Sequence, residues 1–141
     1  NLFVQTAGWR SLIDEFALND REFIRRTAFA MIAWASVHRK DEPDQTFEQC
    51  LPLIGRYAGD NRNYVWKAVS WALRSIGKRS MALRTNVLDL SAKLVASGDK
   101  MKSRIGRDAA KELTKPAIIA AIERRETNRN KKRKTANGRR Q

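Results

Sequence analysis

The chain has 141 residues, 42% of them apolar, enough for one domain with a real core and too few for two comfortable ones. Its net charge of +14 points to a polyanionic partner, of which nucleic acid is the usual one. A lone cysteine, Cys50, excludes a disulfide framework, a single histidine beside it excludes any usual zinc site, and no apolar run approaches the ~18 residues that span a bilayer.

The charge is uneven. Nine basic residues and one acid, Glu126, lie between Arg124 and Gln141, leaving 20 basic against 14 acidic residues on the remainder. The basic end alone would fit solubility or sequence-blind binding; the excess on the rest needs its own explanation. Cys50 is expected as a buried, inert thiol, and His38 as a packed or dipole-favoured imidazole in the last turn of a helix. Neither metal nor cofactor is expected. No signal peptide opens the chain, and its start at Asn1 without Met leaves the natural start expected upstream.

Strand signals are nearly absent, and caps and glycines punctuate the sequence. A first helix is predicted from Gly8 to Ala17, with Trp9, Leu12, Ile13 and Phe16 on one side. Asp20 is placed to cap a second, from Arg21 to His38, apolar around most of its circumference and therefore buried between neighbours. Arg39 to Gln45, with Pro43, reads as a loop. Thr46 and Gln49 form a plausible capping box for a third helix ending near Tyr57. A fourth spans Arg62 to Ile76, and Ser80 caps a fifth carrying Leu83, Val87, Leu90 and Leu94. A sixth runs from Met101 to Leu113, and Pro116 suits the first turn of a short seventh. Beyond Thr127 there is almost nothing to bury, so residues 127–141 are expected as a disordered basic tail on a 1–126 domain. Gly59, Gly77 and Gly98 each close a segment and fit the left-handed position after a helix. Their separations of 18 and 21 residues imply helix pairs of about 40, the range of HEAT-type repeats. The expected fold is all-α: six to seven helices in a stacked helical repeat.

Two faces of the fourth helix differ. Val65, Val69, Ala72 and Ile76 recur at helical spacing as a core seam. Tyr64, Lys67, Trp71, Arg74 and Lys78 form a second stripe that alternates cations with rings. Cations neutralise phosphates and release counterions, and flat rings stack on bases or sugars. The competing reading is a half-buried Tyr and Trp flanked by snorkelling Lys and Arg. The sixth helix repeats the pattern: Ile105, Ala109 and Leu113 inside, and Arg104, Arg107, Lys111 and Lys115 outside, interrupted by Asp108 and Glu112. In a helical-repeat stack these helices occupy corresponding places, so their basic stripes are expected side by side, with Arg25 and Arg26 of the second helix alongside.

The string Glu22-Phe23-Ile24-Arg25-Arg26-Thr27-Ala28-Phe29, followed by Asn63-Tyr64-Val65-Trp66-Lys67-Ala68-Val69-Ser70-Trp71-Ala72-Leu73-Arg74, resembles the DNA alkylation repair family, AlkD-like alkylpurine DNA glycosylases of HEAT-like repeats. The resemblance covers about Gly8 to Pro116. It implies a protein that binds duplex DNA carrying alkylated bases and hydrolyses the N-glycosidic bond of cationic alkylpurines. It implies that Arg26 contacts DNA beside the lesion, that Trp71 lines the cleft against the alkylated nucleotide, and that Lys67 and Arg74 grip the backbone. The family's cleft aspartate would stabilise the cationic sugar as the bond breaks. By the resemblance it falls upstream of Asn1, so no catalytic residue is assigned here; Asp14 reads as helix surface and Asp20 as a cap. On that reading this stretch alone binds DNA without excising. A monomer in the cytoplasm, associated with the nucleoid, is expected. A non-catalytic DNA-binding relative, and a helical-repeat scaffold for protein or RNA, stand as alternatives.

Overall fold

The computed structural model describes residues 8–140. The first seven residues of the expected domain and the last residue of the expected tail lie outside the described residues. The helices are α1 (Trp9–Leu18), α2 (Glu22–His38), the single turn α3 (Asp44–Glu48), α4 (Leu51–Tyr57), α5 (Asn63–Gly77), α6 (Met81–Ala96), α7 (Lys100–Leu113) and α8 (Pro116–Arg140). Among the described residues there is no strand, and the all-α class expected from the sequence is what the structure has. No helix among them is long and apolar enough to cross a membrane.

The helices stack in two layers. In one, α2, α5 and α7 run parallel. Phe23 meets Tyr64 near the starts of α2 and α5, while Arg79, just past α5, donates to the Ser36 carbonyl near the end of α2. Arg104 covers Trp66 early in α7 and α5, and Glu112 takes Arg74 and Lys78 late in both. The other layer holds α1, α3–α4 and α6, joined by Arg10 donating to the Thr46 carbonyl and by Gly55 against Leu90. Each helix of the second layer leads back into one of the first, so the chain makes successive antiparallel pairs, as in a helical repeat. The core lies between the layers: Ile13, Phe29, Ile32, Phe47, Ile54, Val65, Val69, Ala72, Ile76, Leu83, Ile105 and Leu113 are all buried. The seams expected for α5 and α7 are therefore core, as periodicity required.

Ser80 caps α6 as expected, accepting from the Leu83 N–H at 3.1 Å. Other local expectations are corrected. Asp20 caps nothing: α2 starts after Arg21, whose N–H donates to the Asn19 side chain. The Thr46–Gln49 capping box is absent, because Thr46 donates instead to Glu42 and already lies inside α3. The single helix expected to end near Tyr57 is two, and Pro52 accounts for the break. Its ring offers no N–H and would clash with the carbonyl one turn earlier, so it sits in the first turn of a new helix, α4. Of the three punctuating glycines only Gly98 has positive φ, at 79°. Gly77 closes α5 without positive φ, and close packing is what calls for glycine there: a Cβ would fall 2.5 Å from Leu113 Cδ1.

The largest difference is at the C-terminus. Where composition suggested disorder, α8 continues to Arg140. Its side chains from Thr127 to Arg139 are all exposed, so the expectation that this segment buries nothing holds. Lys and Arg nonetheless have good helix propensity, and a helix already started and anchored extends at little cost. The anchors are buried Ile122, the Glu126 carboxylate accepting from the Met81 N–H at 2.8 Å, and Arg125 donating to the Lys78 carbonyl.

Candidate nucleic-acid interface

The outer face of the α2–α5–α7 layer carries the residues singled out from the sequence. Because Val65, Val69, Ala72 and Ile76 turn inward, the seam beside them is forced outward. Tyr64 and Trp71 keep 47% and 44% of their surface exposed, large values for aromatic side chains on a folded wall. Tyr64 stacks on exposed Phe23, ring centroids 5.1 Å apart, and the Arg26 guanidinium lies 6.0 Å from the Tyr64 ring. Arg26 is exposed, on the same side as the stripe.

The neighbouring Arg25 has another place. Its guanidinium donates to Asp60 at 2.8 Å and to the Ala17 carbonyl, and it covers the Tyr57 ring at 4.3 Å. Only 14% of its side chain is exposed, so it ties α1, α2 and the turn before α5 together rather than lying open on the wall. Asp60 also takes Arg62 at 2.7 Å. The Arg62 hydrogen bonds, and those of Arg25, overcome desolvation and hold the Asp60 carboxyl down to about 2.

Lower on the wall, Lys67 and Arg104 flank Trp66, 6.0 and 4.4 Å from its ring, and Arg107 is exposed one turn further on, donating to Ser103. Arg74 and Lys78 share Glu112 at 3.3 and 3.1 Å. Burial pushes the Glu112 carboxyl up, but the hydrogen bonds and charge of Lys78 and Arg74 outweigh it and leave it lowered. These two cations are thus half-neutralised, while Lys67, Arg104 and Arg26 have no acidic partner among the described residues. Between α5 and α7 lies an open groove of about 630 Å³, with Trp66, Lys67, Ser70 and Arg74 on one side and Asp108, Lys111 and Lys115 on the other.

The structure thus gathers Arg26, Tyr64, Lys67, Trp71, Arg74, Lys78, Arg104 and Arg107 on one layer, and turns Arg25 away. Trp66 was overlooked as a site residue. Its signal was available: Trp66, Ser70 and Arg74 recur one turn apart beside the basic seam. Lys40 and the α8 residues Arg125, Arg129, Lys132 and Arg133, which line one groove with Trp71, had no such signal, since only the fold brings loop and tail to the wall. The carboxylates weighed from the sequence lie elsewhere. Asp14 is on α1, in the other layer, and Asp20 is in the α1–α2 turn, its carbonyl accepting from Arg62. Among the described residues no three His, Cys, Asp or Glu side chains gather to hold a metal.

Two layers of paired helices with one basic, aromatic-bearing face define the class: an all-α helical-repeat protein with a wall suited to a polyanion. A family model described as DNA alkylation repair enzyme matches residues 1–113, through the end of α7. The chain belongs to that family, and a role in DNA alkylation repair follows. No curated protein and no solved structure matches it.

Proposed function

We propose that the α2–α5–α7 wall binds duplex DNA and presents a cationic alkylated purine for excision by hydrolysis of its N-glycosidic bond. The observation that carries this reading is Trp71, an exposed indole at the centre of a cationic stripe in a chain of the alkylation repair family. A large ring left half in water is costly unless something covers it, and a cationic heterocycle is a good cover: the ring face attracts positive charge and stacks. Arg26 sits beside Tyr64, suited to a phosphate next to the lesion, and Lys67, Arg104 and Arg107 suit phosphates further along. Arg74 and Lys78 exchange Glu112 for phosphate on binding, a weaker gain because an ion pair is lost. A positively charged base is already a good leaving group. Electrostatic support of the developing sugar cation is therefore the main demand on the protein, and a carboxylate near the sugar would meet it.

Excision leaves an abasic site and a free base, whereas direct dealkylation restores the parent purine. The test is treatment of methylated duplex DNA with the full-length protein, followed by alkaline cleavage at abasic sites and chromatography of the released bases. Strand breaks with free methylpurine support the proposal; loss of methyl groups without breaks, or no change beyond spontaneous depurination, refutes it.

A further inference from the structure

Helix α8 lies outside the family-matched residues, yet it makes one side of a second groove, of about 860 Å³. The facing side is built by the ends of α2 and α5, with Val37, Lys40, Trp71 and Lys78. Its floor is apolar, formed by Val37, Trp71, Ile118 and Ala121, and its rim is cationic, with no Asp or Glu among the lining residues. The α8 contributions, from Ile118 through Arg125 to Arg129, Lys132 and Arg133, recur at three and four residues and so share one face of the helix. Lys131, Lys134 and Arg139 do not line the groove. Lys40, Arg129, Lys132 and Arg133 have no carboxylate partner among the described residues. Arg125 and Glu126 fix the near end of this jaw by bonding the backbone at Lys78 and Met81.

We propose that this groove holds the sugar–phosphate backbone of a nucleic-acid strand, with α8 as a second jaw opposite the wall; it rests on the proposed function only in sharing Trp71 and Lys78. A concave site of one sign concentrates counter-charge, and uncompensated lysines and arginines repel one another until a polyanion arrives. An aromatic, apolar floor beneath a cationic rim suits a strand, whose bases or sugars cover the floor while its phosphates meet the rim. An acidic peptide would satisfy the rim and leave the indole uncovered.

Two triple variants that remove equal charge make the test. Arg129→Gln/Lys132→Gln/Arg133→Gln removes the three unpartnered cations from the α8 side of the groove; Lys131→Gln/Lys134→Gln/Arg139→Gln removes three charges elsewhere on α8. Binding of undamaged single-stranded and duplex oligonucleotides is measured against salt, with circular dichroism reporting the helix and Lys40→Gln as a variant outside it. The groove triple is expected to weaken binding of one or both probes about tenfold or more. It should also flatten the log–log salt slope by about 2 to 3, the release expected for three phosphate contacts. The control triple should do much less. The emission of Trp71, taken as the difference between wild type and Trp71→Phe, should change on binding and stop changing in the groove triple. Lys40→Gln should weaken binding in the same direction. Equal losses in both triples, no loss on either probe, or an equal dependence of polyglutamate binding on the groove would overturn the proposal. Undamaged probes make this outcome independent of whether the protein excises bases.

Discussion

Arg25 and Arg26 are adjacent in sequence, and the structure gives them different work. Arg25 is folded against Tyr57 and Asp60; Arg26 lies open above Tyr64. Arg25→Ala should therefore lower stability by about 2 kcal/mol, since it removes charged hydrogen bonds to Asp60 and the Ala17 carbonyl and leaves a largely buried carboxylate to Arg62 alone. Arg26→Ala should stay within about 0.5 kcal/mol, as exposed substitutions do, while weakening DNA binding. Urea unfolding and a binding titration of both variants check this; equal destabilisation would mean that Arg26 is structural too. Asp60 adds a pH signature. Its folded carboxyl is lowered to about 2 against about 3.9 when unfolded, so its contribution is present above pH 4 and lost as the pH falls toward 2. The stability gap between wild type and Asp60→Asn should close over that window, and a gap that persists at pH 2 would contradict the assignment. Cys50 is 1% exposed, and burial, opposed in part by Arg10, pushes its thiol up to about 11. It should resist alkylation in the folded protein at neutral pH and react on unfolding, measured by mass shift with iodoacetamide.

At the level of elements, two helix starts are capped from a neighbouring helix. Glu22 of α2 accepts from the Tyr64 N–H at the start of α5, and Glu126 of α8 accepts from the Met81 N–H at the start of α6. Each puts a carboxylate where the helix dipole and unpaired N–H groups favour one. Glu126→Ala should cost about 1 kcal/mol, the usual cost of losing a cap. Close approach sets a second requirement. A Cβ on Gly106 would fall 2.6 Å from the Ser91 carbonyl oxygen, so Gly106→Ala should force α6 and α7 apart at about 1–3 kcal/mol; thermal unfolding would show it. These features explain what the sequence made legible. Seams such as Val65–Val69–Ala72–Ile76 and the Ser80 cap are local: spacing and one hydroxyl suffice. The caps at Tyr64 and Met81 depend on partners 42 and 45 places along the chain, and the packing of Gly77 and Gly106 depends on Leu113 and Ser91 of other helices, so no local pattern of sequence contains them. Pro52 was legible and overlooked: a proline inside a predicted helix marks a break.

Over the whole molecule, the wall and its second jaw differ in how much they owe to the core. The wall's charged and aromatic residues stand on buried seams, whereas α8 beyond Glu126 rests on nothing buried. Removing residues 127–141 should leave the melting temperature nearly unchanged, weaken DNA binding and flatten its salt dependence; a large drop in melting temperature would show that α8 supports the fold. The wall was readable from periodicity because one helix carries most of it. The jaw was not, because a composition poor in apolar residues says what a segment fails to bury and not where it lies. On the proposed function the alkylated nucleotide meets the protein at Trp71. Single-turnover release of methylpurine from methylated duplex DNA, by the full-length protein and by Trp71→Ala, tests it most directly. Stacking on one ring is worth about 1–3 kcal/mol, so Trp71→Ala should slow release about tenfold to a hundredfold while unfolding as the wild type does. Release at the wild-type rate by Trp71→Ala would contradict the account.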